Sequence, residues 1–137
     1  PRIRRLDEFV DAATFFFNGK LEYDPALLFD KYKKRHDAKE VHDALKGLVE
    51  HLEALPAWEQ AKLEEAMRAF AEELEWKVGD VFMSVRVAVT GRTASPGLFE
   101  TLEALGKPIC QVRLRDAMVK IAPLAKQAVQ DRQRAKQ

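Results

Sequence analysis

The chain has 137 residues, 47% hydrophobic and 33% charged, with a formal net charge of +1. That size suits one ordinary domain, or two small helical subdomains sharing a core, with enough apolar surface for real burial. No apolar run approaches membrane-spanning length, no charged-then-apolar leader opens the chain, and the single cysteine, Cys110, excludes an internal disulfide; together these fit a reducing cytoplasm.

The chain opens at Pro1 rather than methionine, so a fragment or a processed chain is expected. After a basic lead-in, Leu6, Phe9, Val10, Ala13, Phe16 and Phe17 recur at helical spacing, and Asn18-Gly19 ends that helix. Asp24-Pro25 opens the next, an N-cap followed by proline, carrying Leu27, Leu28 and Tyr32. Its end is basic, with Lys31, Lys33, Lys34 and Arg35. The plain reading of that run is a solvated face, and contact with an RNA backbone is the rarer one.

Asp37 with Glu40 has the form of a capping box. Val41, Leu45, Leu48, Val49, Leu52 and Leu55 form one apolar stripe that stops at Pro56. Trp58, Leu63, Met67, Phe70 and Leu74 make a second amphipathic stretch, so two antiparallel scaffold helices are expected. The glutamates at 64, 65, 72, 73 and 75 serve helix solubility. His36, His42 and His51 lack cysteines or clustered carboxylates around them, so no metal site is expected.

From Val78 to Thr90 periodicity does not decide. Val81, Met83, Val85, Val87 and Val89 alternate as a half-buried strand would, while Val78, Val81, Phe82, Val85 and Val89 fit one helical face, and Gly91 suits a helix C-cap. Ser95 is placed to cap a short helix with Pro96 at its first position; Gly106 closes it and Pro108 helps prevent its continuation. Val112, Leu114, Met118 and Ile121 belong to a last packed helix, interrupted at Pro123. The expected organisation is an N-terminal helical subdomain over 1–75, a C-terminal subdomain over 76–122, and a polar basic tail over 123–137 that is frayed or disordered. Charge tracks this division: residues 1–75 carry a net −5 and residues 76–137 a net +6. A basic half suits a protein facing a polyanion, and equally two halves that attract each other.

The most distinctive stretch runs from Val85 to Lys107. A helix N-terminus favours anionic groups, an aromatic face stacks on a base, and arginine forks onto phosphate or a base edge. Here Leu98 and Phe99 sit in a first turn with Arg86 and Arg92 nearby in sequence. The plain reading is a helix start with both apolar side chains packed inside. The sharper reading is an exposed platform for unstacked bases.

The residues Val85-Arg86-Val87-Ala88-Val89-Thr90-Gly91-Arg92, then Ser95 to Glu100, then Leu102-Glu103-Ala104-Leu105-Gly106-Lys107, resemble the C-terminal anticodon-binding region of bacterial glutamyl-tRNA synthetases. The likeness extends, more weakly, over about residues 1 to 120. It implies an all-α helical cage of about six to eight helices, with helix over the ambiguous 78–90 stretch. It implies that Arg86, Ser95, Pro96, Leu98 and Phe99 contact the first two anticodon bases. Arg2 falls where such enzymes set an arginine against the third base to discriminate against glutamine tRNA. Arg92, Lys107, Arg113 and Arg115 are candidates for phosphate contacts.

The His-Ile-Gly-His-like and Lys-Met-Ser-Lys-Ser-like signatures of that family's catalytic fold do not occur in this sequence. No catalytic residue and no cofactor is therefore expected here, and ATP, Mg and glutamate would belong to a separate catalytic domain. The implied partners are glutamate tRNA, through its anticodon loop, and the rest of a synthetase chain. Neither DNA nor membrane is implied, and a monomer is expected. The rival readings are a helical protein-interaction module docking a partner helix or a second synthetase subunit through Leu98 and Phe99, and an orphan domain with regulatory RNA targets.

Overall fold

The computed structural model describes residues 21–94 and 97–136, and within them every regular element is helical. The helical stretch expected over residues 1–19 lies outside the described residues. Asp24 caps as the sequence predicts, its carboxylate accepting from Ala26 N–H at 3.0 Å with Pro25 next. Beyond this cap the chain forms not one helix but two 3-10 turns, Pro25–Leu28 and Asp30–Tyr32, parted by Phe29 at φ −140°. Tertiary contacts explain the break. Leu28 and Tyr32 are buried, and the hydroxyls of Tyr32 and Ser84 share their two protons among each other and the Leu28 carbonyl, which lies 3.0 and 2.7 Å from them. At the end of the basic run, Arg35 forks onto buried Asp80 at 2.9 and 2.7 Å, while Lys31, Lys33 and Lys34 remain exposed.

Five α-helices complete the fold among the described residues, fewer than the six to eight expected: α1 Ala38–Glu53, α2 Gln60–Leu74, α3 Val78–Thr90, α4 Leu98–Leu105 and α5 Lys107–Ala135. The capping box at α1 is complete: Asp37 accepts from Glu40 N–H at 3.0 Å and Glu40 accepts from Asp37 N–H at 3.3 Å. α1 buries Val41, Leu45, Leu48, Val49 and Leu52, as its stripe predicts. Gly47 lets α2 come close, since a Cβ there would lie 3.1 Å from the Phe70 ring. Trp58 stands before α2 rather than in it and donates from Nε1 to the Leu102 carbonyl at 2.7 Å.

The ambiguous stretch is helical. Val81, Ser84, Val85, Val87, Ala88, Val89 and Thr90 are all buried, because α2, α4, α5 and the first 3-10 turn surround α3. A helix enclosed on most sides has no polar face to write a 3.6-residue period. The most extensive packing is between α1 and α5. α5 corrects two expectations. It runs unbroken through Pro123, and residues 124–135 are helical rather than frayed. A proline inside a helix costs about 3 kcal/mol, and burial of Ile121 and Ala125 on either side helps offset it. Near the end, Arg132 forks onto Asp37 at 2.8 and 2.7 Å and fastens α5 to the cap of α1.

Candidate nucleic-acid interface

The C-terminal turn of α3 sets up the site. Gly91 takes the left-handed conformation (φ 73°) and its N–H returns to the Val87 carbonyl at 2.7 Å, so the C-cap reading holds. Thr90 Oγ1 donates to the Arg86 carbonyl at 2.6 Å and accepts from Arg92 N–H at 3.0 Å, which fixes the first residues of the connection to α4. α4 begins at Leu98 with Gly97 as its N-cap, so the boundary falls two residues later than Ser95 and Pro96 would place it. Gly97 has no side chain with which to bond the first-turn N–H groups. Ser95, Pro96 and Arg2 lie outside the described residues.

Leu98 is buried at 4% exposure and belongs to the core beside Leu102 and Leu105, so its side chain is not part of an exposed platform. Phe99 is half-buried and meets Phe82 edge-on, with ring centroids 5.1 Å apart. Phe82 and half-buried Arg86 stand one turn apart on α3 and so share a face. From α2, the Arg68 guanidinium lies 5.4 Å from the Phe82 ring centroid while its Nε donates to Glu64 at 2.9 Å. The accessible feature is thus a ledge of Phe82, Phe99 and Arg86 edged by Arg68. The four-residue spacing of Phe82 and Arg86 signals half of it; nothing in the sequence links Arg68, which comes from another helix.

The four candidate phosphate contacts separate. Arg92 is exposed just beyond α3. Lys107 is engaged by α1, donating from Nζ to the Glu53 carbonyl at 3.0 Å, where a cation suits a helix C-terminus. Arg113 corrects the surface reading: it is 5% exposed and Nη1 donates to the Val89 carbonyl at 2.8 Å. Burial pulls that guanidinium down from its ordinary range and pushes the nearby Cys110 thiol up to about 12. Arg115 lies on the other side of α5, in a groove of about 570 Å³ shared with His42, Lys46, Glu50 and Met118. Among the described residues there is no cluster of metal-ligating side chains and no helix long and apolar enough to cross a membrane.

An all-helical fold presenting an arginine and two aromatic rings on one half-buried ledge suits recognition of unstacked bases. Residues 1–118 match the family model of the anticodon binding domain, and the chain belongs to that family. It is similar to a glutamate–tRNA ligase of Dehalococcoides mccartyi (strain BAV1), 36% identical over 126 residues that cover 92% of this chain and 25% of that protein. The glutamate–tRNA ligases of Roseiflexus castenholzii and Roseiflexus sp. (strain RS-1) are 40% and 41% identical, covering 88% and 85% of this chain and 23% and 22% of theirs. The chain thus spans about a quarter of the length of these relatives.

Proposed function

We propose that this chain reads the anticodon loop of glutamate tRNA on behalf of a glutamate–tRNA ligase whose catalytic region lies elsewhere in a longer polypeptide. The observation that carries the reading is the ledge of Arg86, Phe82 and Phe99 in a member of the anticodon binding domain family. A splayed anticodon base stacks on Phe99, and the Arg86 guanidinium reaches a base edge or its phosphate. The first-turn N–H groups of α4 supply further donors, and Ser95 and Pro96 contact the first two anticodon bases. Leu98 contributes by holding that turn in place rather than by touching a base. Arg2 takes the third base and favours glutamate over glutamine tRNA, and Arg92 takes a phosphate.

In this reading the chain has no catalytic residue and no cofactor of its own. ATP, Mg and glutamate are handled by the remainder of the synthetase, its covalent partner, and the whole acts as a cytoplasmic monomer. Residues 1–75 serve as scaffold and 76–122 carry the reading surface. Burial of Leu98 takes its side chain out of the rival protein-docking edge as well as out of the base platform.

Arg86→Ala is the direct test. A good arginine–base pair contributes about 1–3 kcal/mol of discrimination, so binding to a hairpin with the glutamate anticodon should weaken about tenfold or more. Binding to a hairpin with an altered anticodon base should change little. Equal loss for both hairpins in a filter-binding or gel-shift titration would reduce Arg86 to a phosphate contact.

A further inference from the structure

Resting on the anticodon-reading function proposed above, we infer that Arg113 is a positioning residue: a buried guanidinium that clamps the last turn of α3 and thereby fixes where that turn presents Arg86 and Arg92 to the anticodon loop. Arg113 comes from α5 and is 5% exposed, so it cannot serve as a surface cation. Its Nη1 donates at 2.8 Å to the carbonyl of Val89, one of the last carbonyls of α3, which have no partner within the helix ladder. A positive charge at that end also complements the helix dipole.

The same turn is held from other sides. Thr90 Oγ1 bridges the Arg86 carbonyl and the Arg92 N–H, at 2.6 and 3.0 Å. The left-handed Gly91 faces Tyr23, whose ring would be 3.4 Å from a Cβ placed there, and Lys120 of α5 lies over that ring at 5.4 Å from its centroid. Arg86, four residues before Thr90, therefore sits on a turn whose exit is tied to α5 and to the segment before the first 3-10 turn. Burying a charge is costly unless its hydrogen bonds repay it, and a methionine of similar length would fill the volume without that cost. A guanidinium placed here instead gives the turn one geometry, which recognition of an individual base requires.

The test compares the wild-type chain with Arg113→Lys, Arg113→Met and Thr90→Val, the last loosening the same turn from its other side. Each is titrated with an anticodon stem-loop RNA of glutamate tRNA and with the same hairpin carrying a changed middle anticodon base. Amide hydrogen exchange is read at Gly91 and Arg92 and, as the internal reference, at Leu48 in α1. The clamp predicts that the ratio of the two affinities falls about tenfold in each variant, equivalent to about 1.4 kcal/mol. It also predicts loss of protection at Gly91 and Arg92 while Leu48 keeps its own. A variant that keeps both the wild-type ratio and protection at Gly91 overturns the clamp, as does protection lost equally at all three amides. Should one Arg113 variant not fold, the other decides by the same two readouts. If the wild type itself fails to distinguish the hairpins, the anticodon reading has failed, and exchange at Gly91 and Arg92 alone decides whether Arg113 holds the turn.

Discussion

Leu98 and Phe99 are neighbours with opposite duties. Leu98 is in the core, so Leu98→Ala should destabilise the fold by about 2–5 kcal/mol, read as a lower urea midpoint. Phe99→Ala gives up a half-buried ring and its edge contact with Phe82, so the expected loss of stability is smaller and the loss of RNA binding larger. A reversed order would place Phe99 in the scaffold. The motif identifies the pair as a helix start but not which side chain turns inward, because that depends on where α4 begins. Gly97 takes the cap and sets that register. At Cys110, burial raises the thiol to about 12 despite the nearby Arg113 charge, so almost no thiolate forms at neutral pH. Iodoacetamide should leave the folded protein unmodified and label it only in denaturant; rapid labelling of the native state would contradict the burial.

At the level of elements, the sequence is clear where a helix has one wet side and an explicit cap. α1 is the clearest case, with the Asp37–Glu40 box and the 41–52 stripe both found as read. It is ambiguous where a helix is enclosed, as α3 is: Gly91 suits a helix C-cap, the periodicity admits a strand as well, and the family resemblance decides for helix. It misleads at Pro123, where packing of α5 on α1 outweighs a local helix breaker. Two helix ends can be tested directly. α2 ends with Glu75 in the left-handed conformation (φ 62°), which a non-glycine residue adopts at a cost. Glu75→Gly should therefore stabilise the protein by roughly 0.5–1 kcal/mol, measured by urea denaturation; a loss would mean the Glu75 side chain makes up that cost. At α1, burial alone would raise the Asp37 carboxyl, but the Glu40 N–H and Arg132 outweigh it and hold it below its ordinary value. A carboxyl depressed on folding stabilises above its unfolded pKa of about 3.9, and that stability is lost as pH falls through the folded value. Between about pH 5 and pH 2, the wild type should lose more stability than Asp37→Asn in paired urea melts. Parallel losses would show that the pair contributes nothing.

Over the whole molecule, charge and shape divide the labour. The acidic half includes α1 and α2, while the residues from 76 onward carry a net +6 together with Arg86 and the turn beyond it. Internal duties then claim some of the apparent RNA-binding cations: Arg113 holds α3, Lys107 holds α1 and Arg132 holds Asp37. Net charge thus overstates the electrostatic footprint, and affinity for RNA should decline with salt by a slope of roughly 0.7 for each single-strand phosphate neutralised. The most direct measurement is a gel-shift titration of the wild-type chain with glutamate tRNA, and with the same tRNA altered at one anticodon base, at two salt concentrations. The account predicts weaker binding of both at higher salt, with the preference for the unaltered anticodon retained. Equal affinity for both tRNAs, unchanged by salt, would contradict it.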